Sequence, residues 1–185
     1  MSDDLAIFPD WSPYQELDVA ARAYLRDPDV ALAAVEPLLV GATVLGFTLE
    51  RFVNEFNAVW QEAAICDGHR LLLWHGEDLP EEEGPPGSMT SAVRVIPLAA
   101  VTEVGYRRRL FREPNGTIRR EGVDVYVLLS SLDEAGAVAE AGEATPIRHD
   151  SLRFGKTVTD GGAGQMDRLE QFAHLLGQLT GRGAF

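Results

Sequence analysis

Six arginines, Arg107, Arg108, Arg109, Arg112, Arg119 and Arg120, crowd one short stretch with only Glu113 and Glu121 among them, in a chain that is otherwise acidic. Guanidinium groups grip carboxylates and phosphates through paired, planar hydrogen bonds, so this island suits an anionic ligand or an acidic protein surface. On a β-strand, however, alternate side chains point to opposite faces. Arg107 and Arg109 therefore share one face, Arg108 and Arg112 the other, and Arg119 and Arg120 divide in the same way on the returning strand. That alternation argues against a single flat phosphate cradle, and a sensor of a small anionic metabolite would need the arginines to converge. A solvated arm, or an arm lying on the chain's own acidic loop, is the bland alternative.

A second polar group is Trp74-His75-Gly76-Glu77-Asp78, with His149 in Arg148-His149-Asp150 further on. If folding draws His75, Glu77, Asp78 and His149 together, an imidazole and two carboxylates supply a general base and its orienting partners, as a small hydrolase requires. None of these spacings is a metal motif, and the four histidines (His69, His75, His149 and His174) form no pair, so no metal site and no cofactor is expected. Cys66 faces His69 across a turn, which would activate a thiolate, but a lone cysteine in an apolar run reads as a core residue. Glu81-Glu82-Glu83 lacks the alternating ligands of a calcium loop. Gly161 to Gly164 precede a helix without the Lys-Ser/Thr of a phosphate loop, and no serine sits in a nucleophile elbow.

The elements that would hold these residues follow from local pattern. Ser12-Pro13-Tyr14-Gln15 reads as a capping box opening a helix over Pro13–Arg26, and Asp27-Pro28-Asp29 opens a shorter one ending at Val35 before Pro37. A strand is expected over Leu38–Thr48. Two further strands, Phe52–Ile65 and His69–His75, flank Asp67-Gly68, a dipeptide that tolerates the positive φ of a tight hairpin. Glu77–Ser88, rich in acid, Pro and Gly, is an exposed loop. Ala92–Phe111 is extended with a bend at Pro97, and Glu113-Pro114-Asn115-Gly116 turns the chain into Ile118–Leu129, giving a long arginine-bearing hairpin. Asp133–Pro146 is a loose loop or weak helix, Leu152–Val158 a last strand, and Thr159–Gly164 a linker. Beyond it Met166, Leu169, Phe172, Ala173, Leu176 and Leu179 recur at three- and four-residue spacing, the stripe of a docking helix ending near Gly181.

At 185 residues and 45% hydrophobic, the chain suits one domain with a real core: a helical segment at 1–36, a β-barrel at 37–160 and a helix at 163–181. A formal charge of −13 repels nucleic acid and anionic lipid, which argues against both as partners. Fifteen of the sixteen basic residues are arginine, a bias read as genomic composition, with Lys156 the single lysine. One cysteine and an N-terminus without a basic, apolar leader point to the cytoplasm. Ala31–Leu49 has the length of a membrane span, but Glu36 beside Pro37 at its middle argues for a buried helix end and a core strand instead.

This order of elements resembles the pleckstrin-homology-like fold, a bent antiparallel β-barrel or sandwich of about seven strands plugged by one helix. Within that fold the chain is similar to a family of uncharacterised actinobacterial proteins. The likeness is carried by His69-Arg70-Leu71-Leu72-Leu73-Trp74-His75 with Gly76-Glu77-Asp78, by Thr90–Leu98 continuing to Val104, and by Asp150-Ser151-Leu152-Arg153-Phe154 with the final helix. The family's Cys- and His-containing insert corresponds here to Asp133–Arg148, which has no cysteine, so no metal role is carried over. The resemblance implies an α+β fold, and such folds serve lipid, peptide and oligomer interfaces alike. The expected function is a non-enzymatic binding module that docks a protein partner or a second copy of itself, with phosphoinositide disfavoured by charge. The alternative is a small hydrolase or anionic-metabolite-binding protein using the His/carboxylate cleft.

Overall fold

The computed structural model describes residues 8–130 and 150–181, and the chain is α+β. Two short helices, α1 (Leu17–Tyr24) and α2 (Pro28–Val35), precede four strands: β1 (Gly46–Val53), β2 (Val59–Cys66), β3 (Arg70–Asp78) and β4 (Met89–Pro97). Three more strands, β5 (Val101–Arg112), β6 (Ile118–Leu129) and β7 (Asp150–Thr157), lead into the long helix α3 (Gly162–Leu179). Strands β1 to β4 form one antiparallel sheet in chain order, and β5 to β7 form a second. Among the described residues no ladder joins the two, so they are a pair of open sheets and do not close into a barrel.

Each sheet begins from local chemistry. At the β2–β3 hairpin, the Asp67 carboxylate accepts from the backbone N–H groups of His69 and Arg70 at 2.9 and 2.7 Å while Gly68 takes φ 89°. The β5–β6 hairpin turns at Asn115-Gly116, where the Asn115 side chain accepts from Thr117 N–H at 2.8 Å. Both are turns in which a short side-chain carbonyl replaces missing backbone partners. Pro97 ends β4 as expected, because it has no N–H to give a ladder, and a single 3-10 turn at Leu98–Ala100 re-aims the chain into β5.

Three expected elements differ, and tertiary contacts explain each. The helix forecast over Pro13–Arg26 starts only at Leu17, because Ser12 and Tyr14 give their carbonyls to the Arg168 guanidinium at 2.9 and 2.8 Å and are held in a turn. The strand forecast over Leu38–Thr48 begins at Gly46, after a loop that follows a 3-10 turn at Glu36–Leu38. The strand forecast over Phe52–Ile65 is two: Asn54 accepts from Phe56 and Ala58 N–H, Asn57 takes φ 61°, and the chain reverses between β1 and β2. Asp133–Pro146 lies outside the described residues.

Two apolar clusters form the core. The first sheet buries Ala64, Cys66, Leu71, Leu73 and Ile96 against Val123, Val125 and Val127 of β6, Leu152 and Phe154 of β7, and Met166, Leu169, Phe172, Ala173 and Leu176 of α3. That is the stripe read from the sequence, with Leu179 left at its exposed end. The opposite face of the first sheet, Phe47, Leu49, Ala63, Ile65, Leu72 and Trp74, packs on Trp11, Tyr24, Leu32 and Val35. The centre of the first sheet is thus covered on both sides, which accounts for the continuous apolar runs Ala63–Cys66 of β2 and Leu71–Trp74 of β3. Among the described residues no helix is long and apolar enough to cross a membrane.

Candidate functional site

Strand alternation divides the arginine-rich hairpin between two environments. Toward α3, Arg108 reaches Glu170 through Nε and Nη2 at 2.9 and 2.6 Å, and Arg120 reaches the same carboxylate at 2.9 Å and Asp167 at 2.5 Å. These guanidinium groups hold the Glu170 carboxyl below its usual range despite its burial. Arg108 and Arg120 are therefore a clasp between the hairpin and α3. On the outer face, Arg107 donates to Asp124 at 2.9 Å, and Arg109 lies 3.7 Å from it. Arg119 pairs with Glu121 at 2.8 Å and lies over the Phe111 ring. Arg112 has no ion pair among the described residues.

The hairpin outruns its own sheet. β7 pairs with β6 only from Gly122 to Leu129, so Leu110–Arg112 and Ile118–Glu121 continue as a two-stranded ribbon. A β-bulge between Arg109 and Leu110, which leaves Glu121 as the extra residue on β6, marks the point of departure. The ribbon exposes Leu110 (58%), Phe111 (46%) and Ile118 (52%) to solvent.

The His75 group is only partly assembled. His75 Nε2 lies 3.3 Å from Glu77 and its Nδ1 4.0 Å from Glu62, with the Trp60 ring packed edge-on at 5.3 Å. Burial pushes the Glu62 carboxyl up to about 7. Asp78 lies on the opposite face, where Arg26 takes it in a bidentate pair and Val59 N–H donates to it at 2.9 Å. That pairing holds Asp78 below the usual carboxylate range. Arg148 and His149 lie outside the described residues, and Asp150 pairs with Arg94 at 2.5 Å. Among the described residues no group of three His, Cys, Asp or Glu side chains is placed to hold a metal ion. Cys66 is fully buried, and burial pushes its thiol up, away from thiolate chemistry.

A network that sequence reading missed lies between these regions. Lys156 is fully buried on β7 and donates to the Tyr24 hydroxyl at 3.0 Å and to Asp160 at 3.2 Å, with Glu50 at 3.6 Å. Tyr24 in turn donates to Asp160 at 3.1 Å. Desolvation holds the Glu50 carboxyl at about 8 even with the ammonium beside it, and one Glu50 oxygen has no hydrogen-bond partner. Glu50 is also the register partner of Glu62, which is the register partner of His75, so a titratable row crosses β1, β2 and β3. The available signal was Lys156 itself: the single lysine of the chain, in step with Leu152 and Phe154 on the inward face of a strand. No protein-family model, no curated protein and no solved structure matches this chain.

Proposed function

We propose that the chain is a pleckstrin-homology-like, non-enzymatic interaction module that associates with a second copy of itself through the β5–β6 ribbon. The observation that carries this reading is a two-stranded extension that leaves apolar side chains exposed on both faces, Leu110 and Ile118 on one and Phe111 on the other. Exposed apolar side chains on an open strand edge are a contact surface. β5 is an edge strand, so its outer backbone groups are open to pairing. Arg112, unpaired among the described residues, adds a positive tip.

The occupant follows from charge. With 29 acidic against 16 basic residues, this chain's remaining surface is itself the acidic partner such a tip fits, including the exposed Glu81-Glu82-Glu83 loop. The order of four strands, three strands and a closing C-terminal helix supports the pleckstrin-like assignment, and a buried, lone thiol suits the cytoplasm. The hydrolase reading has less support, because Asp78 is taken by Arg26 on the far face from His75 and Glu77.

Sedimentation velocity across protein concentration and salt tests the reading. The wild-type chain is expected to dimerise, and Leu110→Ser combined with Phe111→Ser to yield a monomer whose Tm is within a few degrees of wild type, both side chains being exposed. Wild type that stays monomeric at every concentration, or a dimer indifferent to the double substitution, overturns it.

A further inference from the structure

The outer face of the β5–β6–β7 sheet is a checkerboard of large and absent side chains. Register places Gly105, Tyr126 and Arg153 in one row across the three strands, and Arg107, Asp124 and Gly155 in the next. The Tyr126 ring lies over Gly105, so close that a Cβ there would meet it at 2.3 Å. No ring covers Gly155. Above it is a notch of about 350 Å³ lined by Arg107, Asp124, Tyr126 and Arg153.

We propose that this notch binds a small organic monocarboxylate, gripped between Arg153 and Arg107 with its apolar body against Tyr126. Arg107 is aligned in advance, since Asp124 Oδ2 takes its Nε and Nη2 at 3.3 and 2.9 Å and leaves Nη1 free. Arg153 is exposed and has neither an ion pair nor a hydrogen bond among the described residues, in a chain with acids to spare. Glu103, on the same face, is engaged elsewhere: it accepts the Tyr126 hydroxyl at 2.8 Å, which also fixes the ring. Two guanidinium forks, one pre-aligned, match a planar carboxylate. A volume at the small end of ligand sites selects a compact molecule. The other Asp124 oxygen lies at the floor, 3.3 Å from where a Gly155 Cβ would stand, and its charge selects a monoanion over a phosphate dianion.

This site is on the β6–β7 side of the sheet, away from the ribbon tip, and its test is independent of self-association. Benzoate is titrated into 15N-labelled protein at low salt, with inorganic phosphate as the counter-probe. Saturable shifts at the amides of Tyr126, Arg153 and Gly155 are expected with benzoate, and phosphate is expected to bind at least about tenfold more weakly. Arg153→Gln, which removes an exposed and unpaired group, is expected to weaken benzoate by about tenfold or more with Tm unchanged. Gly155→Ala, whose methyl enters the floor beside Asp124, is expected to abolish binding. Absence of saturable benzoate binding, wild-type affinity in both variants, or phosphate binding as tightly as benzoate would each overturn the assignment.

Discussion

The Lys156 ammonium sits 3.0 Å from the Tyr24 hydroxyl, a contact that joins residues 132 positions apart. Tyr24 belongs to α1 and Lys156 to the last strand, and Asp160, which bonds both, lies in the turn before α3. Through Glu50 on β1 the same ammonium touches the first sheet. Four separate parts of the fold thus meet at one buried cation.

Removing that cation is expected to be costly in a pH-dependent way. Lys156→Met leaves the buried Glu50 without its counter-charge and the half-buried Asp160 without a partner, and a broken buried pair typically costs about 3–5 kcal/mol. Glu50 can escape the penalty by taking up a proton. The loss should therefore be larger at pH 9 than at pH 6, measured as the difference in urea midpoint between variant and wild type. An equal loss at both values would mean that Glu50 is not the group responding.

The sign of the wild-type pH dependence follows from the same row. Glu50, held at about 8, and Glu62, held at about 7, bind protons more tightly folded than unfolded, where both titrate near 4.5. Their contribution is fully present below 4.5 and is lost as pH rises through the folded values. Stability should decline between about pH 5 and 8, and Glu50→Gln should flatten that decline and gain on the order of a few kcal/mol at pH 8. Asp67, Asp78 and Glu170, all held low by partners, act oppositely and lose their contribution only as pH falls below the ordinary carboxylate range. Thermal melts across pH 3 to 9 should therefore show a maximum on the acid side of neutrality.

The Arg108/Arg120 clasp on Glu170 makes a third expectation. Glu170→Gln removes the charge that both guanidinium groups share, leaving Arg108 without an ion pair among the described residues and Arg120 with Asp167 alone. A fall in Tm of about 2–6 °C is expected for a chain of this size, shrinking as salt is raised. Arg112→Gln, with no ion pair to lose among the described residues, should leave Tm unchanged and serves as the matched control.

Features set by short-range chemistry are legible in the sequence alone. Asp67-Gly68 and Asn115-Gly116 are self-contained turns, and the apolar stripe of α3 needs only a helical period to be seen. Strand alternation likewise separated Arg107 and Arg109 from Arg108. What alternation cannot supply is the identity of the element lying opposite each face: Glu170 is 62 residues from Arg108 and 50 from Arg120. The start of α1 is hidden from the sequence for the same reason, because Arg168, far along the chain, takes the carbonyls of Ser12 and Tyr14. Asn54 was a missed local signal, an Asx turn inside what read as one long strand. Compositional bias hides Lys156, yet a lone lysine in step with Leu152 and Phe154 marks a buried charge whichever bias the arginines reflect.

The buried thiol of Cys66 makes the chain its own clock. It is the only cysteine, it lies in the apolar cluster between the two sheets and α3, and its raised pKa slows any reagent that needs a thiolate. Modification of native protein must therefore wait for the sheets and helix to part. The rate at which a disulfide reagent labels Cys66 reads out how often that happens, with no probe introduced and no second site to subtract.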